Sequence, residues 1–163
     1  MPTKLLISDA NILIDMDVGG LLETMFELEF DFAVPDVLFE EELGSRHPEL
    51  PDLGLRVLEL TPDTIGYAYT LTARYSQPSR NDLLALGLAQ QETCPLLTGD
   101  ANLRIACDKE GITVRGTLWL VEQLFEAGLV DAAAAERAYD AMREDGSRLP
   151  WHEVEAQLAR FRR

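Results

Sequence analysis

Five short apolar runs, separated by segments of helical spacing, constrain this chain more than any other feature. The runs are Lys4–Ser8, Phe32–Val34, Leu55–Leu60, Pro95–Thr98 and Ile112–Val114. Each is too short for a helix and is bounded by Gly, Pro, Asp or Asn, so each reads as a strand. Helical spacing falls at Leu21–Leu28, at Asp36–Leu43 (opened by Pro35 and closed by Gly44), and from Thr61 to about Tyr75. It returns at Ser79–Gln91, Asn102–Lys109, Leu118–Ala127, Asp131–Arg143 and Trp151–Phe161. The first strand ends at Asp9-Ala10-Asn11, Gly19-Gly20 breaks the chain, and residues 45–54 read as loop. Strands that are short, apolar and separated by helices belong to a parallel sheet covered on both faces. The expected fold class is therefore α/β: a three-layer α/β/α sandwich with a mostly parallel central sheet. No strand pattern follows residue 127. Residues 1–127 are read as the α/β domain and 128–163 as a C-terminal helical extension of it.

The 163 residues suffice for one domain with a core of its own. No apolar run is long enough to span a bilayer, and Met1-Pro2-Thr3-Lys4 leads into the first strand without a signal-peptide core, so a cytoplasmic protein is expected. Cys94 and Cys107 form no CxxC motif and read as packing residues; His47 and His152 have no zinc spacing. The net charge is −15, and no Lys or Arg occurs between Leu5 and Ser45, where eleven acids fall. So acidic a chain repels nucleic acid unless metal ions, local arginines or a basic partner offset the charge.

In an open α/β sheet, ligands bind at the carboxyl ends of the strands. Asp9 follows the first strand and Asp100 follows Leu96-Leu97-Thr98-Gly99. Asp82 and the Glu40-Glu41-Glu42 run lie near helix starts that face the same edge. Converging carboxylates repel one another and raise their own pKa values. A divalent cation relieves that repulsion; Mg²⁺ or Mn²⁺ takes hard oxygen ligands and supports phosphodiester hydrolysis. Each acid also has a plainer use: Asp9 and Asp100 as helix caps, Asp82 in a Ser79-x-x-Asp82 capping box, the glutamates as a solvated face. Asp15, Asp17 and Asp108 read as surface acids, the last in a ladder with Arg104. Arg80 and Arg104 are candidate phosphate contacts, with surface ion pairs as the plainer use.

The motifs resemble those of the PIN domain family. Asp9-Ala-Asn11 is similar to its opening Asp-x-Asn, and Val34-Pro35 through Glu41 to its second motif. Asp82-Leu-Leu-Ala and Leu96-Leu-Thr-Gly-Asp100 are similar to its third and fourth, and Ile112–Leu120 resembles the closing strand and helix of a prokaryotic branch. The resemblance covers residues 4–127. It implies a Mg²⁺- or Mn²⁺-dependent endoribonuclease, the toxin of a prokaryotic toxin–antitoxin pair in the VapC-like branch, with RNA as substrate, a small antitoxin partner and a homodimer. It implies a metal site of Asp9, Glu41, Asp82 and Asp100, with Glu40 and Glu42 as competitors for Glu41, and Asn11 orienting the first carboxylate. Where the family often carries a further acid after the Asp100 position, Arg104 stands here. A catalytically inactive PIN-fold binding module and an acid-cluster phosphatase are the alternatives; one phosphatase class would need an Asp where Asn11 stands.

Overall fold

The computed structural model describes residues 4–163. Met1-Pro2-Thr3, on which the absence of a leader was read, lies outside the described residues. The first half of the chain runs β1 (Lys4–Ser8), α1 (Ala10–Val18), α2 (Leu22–Met25), β2 (Phe30–Pro35), α3 (Asp36–Leu38), a π-helical turn (Phe39–Leu43), α4 (Leu50–Leu53) and β3 (Arg56–Leu58). It continues α5 (Pro62–Arg74), α6 (Arg80–Glu92), β4 (Leu96–Leu97), α7 (Ala101–Glu110), β5 (Val114–Arg115), α8 (Thr117–Glu126), α9 (Ala132–Glu144) and α10 (Trp151–Phe161).

All five strands are parallel, in the order β3-β2-β1-β4-β5. Consecutive residues are buried in the central strands: Leu6 and Ile7, Phe32 to Val34, Leu96 and Leu97. Burial without alternation means that helices cover both faces. α6 lies over β1, β2 and β4 with α3, α5 and α7 beside it, while α1 packs with α2, α8 and α9. The expected α/β/α sandwich is what forms. Edge strand β3 is largely exposed and β5 half so, and both are short and carry an arginine (Arg56, Arg115), which discourages pairing with other chains.

Four readings change. Residues 10–18, given no element above, form α1, whose Ile12, Leu13 and Met16 turn into the core at helical spacing. The expected helix over Leu21–Leu28 shrinks to Leu22–Met25, and the loop at 45–54 contains α4. Asp36–Leu43 is not one regular helix: after Leu38 it widens into the π-helical turn that carries Glu40, Glu41 and Glu42. Trp151–Phe161 is helical as expected, and the rings of Phe161 and Phe125 stack at 3.9 Å, tying α10 to α8.

β1 leads to β2 and β3 on one side, and the chain then crosses to β4 and β5 on the other. The strand order thus reverses between β1 and β4, and that is where a crevice opens in a sheet of this kind.

Candidate active site

Asp9 and Asp100 stand one residue after β1 and three after β4, on the two sides of that reversal. Each ends an extended segment and caps the helix that follows. Asp9 Oδ1 accepts from Ile12 N at 2.9 Å, and Asp100 Oδ1 accepts from Leu103 N at 2.8 Å. Asp82 sits in the first turn of α6 in a complete capping box: Ser79 N donates to Asp82 Oδ2 and Asp82 N to Ser79 Oγ, both at 3.1 Å. The plain capping uses raised from the sequence are all realised. They do not compete with a site, because a carboxylate has two oxygens and a cap occupies one.

Asp9 is buried, at 2 % exposure. Its Oδ2 accepts from Thr98 Oγ1 at 2.5 Å. Burial in a poorly solvating interior pushes its pKa up to about 7; the bonds from Thr98 and Ile12 pull the other way, and the charges of Asp82 and Asp100 push it further up. Burial also raises Asp82, with Asp100 adding to it. Asp9, Asp82 and Asp100 therefore act on one another electrostatically, from three remote parts of the sequence.

Glu41 stands apart from this trio. Its carboxylate is about half exposed and accepts from Arg80 Nη2 at 2.6 and 2.5 Å, with Asn81 Nδ2 at 3.3 Å. Arg80 beside it holds its carboxyl below the usual range. Glu42 accepts from Asn81 Nδ2 at 2.9 Å, so Glu41 and Glu42 both dock on the start of α6, next to Asp82 in sequence. The Oδ1 of buried Asn81 has no hydrogen-bond partner in the structure. Arg80 makes the ion pair that was its plainer use. Arg104 does not form the ladder with Asp108 expected above: among the described residues it has no ion pair, and its Nη2 reaches the carbonyl of Thr98 at 3.4 Å.

Asn11 is exposed and makes no hydrogen bond to Asp9 among the described residues; Thr98 and the start of α1 hold that carboxylate instead. Thr98 is fully buried and bridges the two loops: its Oγ1 donates to Asp9 and accepts from Asp100 N at 3.1 Å. Sequence reasoning passed over it, although a hydroxyl two residues before the Asp100 cap was the available signal. Asp15, read as a surface acid, is partly buried; its Oδ1 accepts from Ser147 Oγ at 2.7 Å, and burial raises its pKa. A cleft of about 360 Å³ opens beside Asp100, between Asn11 and Asp15 on α1, Gly99 and Asp100 after β4, and Asp145 to Leu149 between α9 and α10.

The donor set suits a hard cation: oxygen only, mutually repelling, with Asp82 Oδ1 and Asp100 Oδ2 making no hydrogen bond among the described residues. Among the described residues, no group of three or more His, Cys, Asp or Glu is placed to hold a metal ion.

A family model described as PIN domain matches residues 5–163. The comparison with curated proteins returned no match.

Proposed function

We propose, from the premise that this chain belongs to the PIN domain family, whose members are generally nucleases, that it is a Mg²⁺- or Mn²⁺-dependent endoribonuclease. We further propose that it is the toxin of a prokaryotic toxin–antitoxin pair, acting in the cytoplasm as a homodimer restrained by a small antitoxin. The observation that carries the nuclease reading is the buried carboxylate of Asp9 at the reversal of strand order, joined through Thr98 to the loop that carries Asp100. Asp9, Asp82 and Asp100 would hold the cation, with Glu41 joining on release from Arg80. A divalent ion bound there supplies positive charge beside the scissile phosphate and lowers the pKa of water.

The chain's own residues do the rest. Thr98 fixes Asp9 Oδ2, and the start of α1 fixes Oδ1, so the carboxylate cannot turn away. Asp9 must give up its proton at Oδ1 or Oδ2 to serve as a ligand, so cation uptake releases a proton and strengthens between about pH 6 and 8. The helix starts carrying Asp9 and Asp100 are joined through Thr98, which keeps the two acids in register.

That no three candidate ligands are grouped to hold a metal ion among the described residues favours a second reading, an inactive binding module on the same fold. A thermal shift separates the two. The enzyme should gain melting temperature with Mg²⁺ or Mn²⁺ and lose that gain in Asp100→Asn; the module should be indifferent in both. Asp9→Asn should abolish RNA cleavage while the chain stays folded. Cleavage at the native rate by that variant would end the nuclease reading.

A further inference from the structure

The cleft beside Asp100 is walled on one side by the loop between α9 and α10, and among the described residues that loop contributes the one basic residue of its lining, the exposed Arg148. Arg148 lines the cleft together with Asp15, Asp100 and Asp145, yet among the described residues it pairs with none of them. Five other arginines are held in ion pairs elsewhere, including Arg80, one of the two that sequence reading offered to a phosphate. The other, Arg104, is turned onto the Thr98 carbonyl. The loop that carries Arg148 is built rather than slack. Ser147 Oγ donates to Asp15 Oδ1 at 2.7 Å, Ser147 N donates to Met142 O at 3.0 Å, and Gly146 takes a positive φ of 89° that favours glycine. Across the cleft Gly99 leaves open space: a side chain built there would meet nothing within 4 Å.

We propose that Arg148 anchors a phosphate of single-stranded RNA next to the one being cut, so that the C-terminal helices complete the substrate site. This rests on the nuclease reading above. A guanidinium suits the task because it is always charged and grips two phosphate oxygens at once. Asp15, Asp100 and Asp145 line the same cleft and repel a phosphate, which leaves Arg148, among the described residues, as the one basic residue in its lining that attracts one. In a chain of charge −15, a cation at this point is what lets an anionic substrate approach.

The test compares Arg148→Ala, Arg148→Lys and the control Arg137→Ala, which removes one exposed charge from α9 outside the cleft. Cleavage of a short single-stranded RNA is measured with Mg²⁺ or Mn²⁺, and binding of the same RNA by fluorescence anisotropy in an Asp9→Asn background. Arg148→Ala should raise KM about tenfold with kcat within about twofold, and reduce the slope of log affinity against log salt by about 1. Arg148→Lys should recover part of the affinity, and Arg137→Ala should match the wild type. Equal KM and salt slope in Arg148→Ala and wild type would overturn the anchor while leaving the nuclease standing. Equal losses in Arg148→Ala and Arg137→Ala would reduce the effect to overall charge and overturn it too. Wild-type protein that neither binds nor cuts RNA would overturn the nuclease reading itself, and the anchor with it.

Discussion

Asp9 is kept in the interior at a thermodynamic cost, and that cost has a pH dependence. In the unfolded chain its carboxyl ionises near 3.8; in the fold it holds its proton up to about 7. The folded state therefore binds the extra proton between those values, and stability falls as pH rises from about 4 to about 7, then levels off. Asp9→Asn keeps an acceptor for Ile12 N and removes the buried charge. It should be more stable than the wild type at pH 8, by a few kcal/mol at most (about 1.4 kcal/mol per unit of pKa), with the gap vanishing near pH 4. Urea denaturation at the two pH values checks this. If the chain binds Mg²⁺ as proposed, saturating Mg²⁺ should close the gap at pH 8 by stabilising the wild type alone. Thr98→Val removes the bond that lowers Asp9, so a carboxyl NMR titration should find the Asp9 pKa higher still. The position of Asp9 at the end of the first strand was legible in the sequence. Its partner was not: the residue that holds it lies 89 positions away, and a threonine in a strand end carries no pattern of its own.

Three acidic side chains at three helix starts form the candidate site, and a helix start is where a short acid is most stable. This makes local stability and site assembly separable by mutation. Ser79→Ala removes the side-chain half of the α6 capping box, the bond from Asp82 N, and should destabilise the fold by about 1 kcal/mol in denaturant titration, while the backbone N–H of residue 79 still holds Asp82 Oδ2 in place. The second motif was harder to read. Counting from Pro35 selects Glu41 only if the helix is regular, and the π-helical turn at Phe39–Leu43 changes the angle between successive side chains. The glutamate that faces the trio therefore cannot be chosen by spacing. In the structure Glu41 and Glu42 both lean on Asn81, and Arg80 takes Glu41. Helix α1 was missed for a related reason: Asp9-Ala10-Asn11 reads equally as the end of a strand and as a cap, and only the burial of Ile12, Leu13 and Met16 decides it.

At the scale of the whole molecule, the C-terminal helices are fastened to the sandwich by polar as well as apolar contacts. Tyr139 Oη on α9 donates to Gln157 Oε1 on α10 at 2.5 Å, and Gln157 Nε2 donates to the Leu118 carbonyl on α8 at 2.9 Å. Gln157 and Tyr139 are both buried, so Gln157→Ala strands the Tyr139 hydroxyl, takes a second donor from the Leu118 carbonyl and leaves a cavity, and should cost about 2 kcal/mol by chemical denaturation. The loop from Asp145 to Leu149 lies between these helices, so the same variant should loosen the cleft wall and expose that loop to proteolysis. Among the described residues no helix is long and apolar enough to cross a membrane.

Period and punctuation in the chain were enough to place five parallel strands, most of the helices, the α/β class and the acids at the strand ends, because apolar spacing and capping chemistry act over a few residues. Strand order, Thr98 as the holder of Asp9, the diversion of Arg104 to a carbonyl, and the α9–α10 loop as a wall of the cleft were decided only in three dimensions. Each is a contact between segments far apart in the chain, selected by packing and by the need to satisfy buried polar atoms, and neither requirement leaves a local trace.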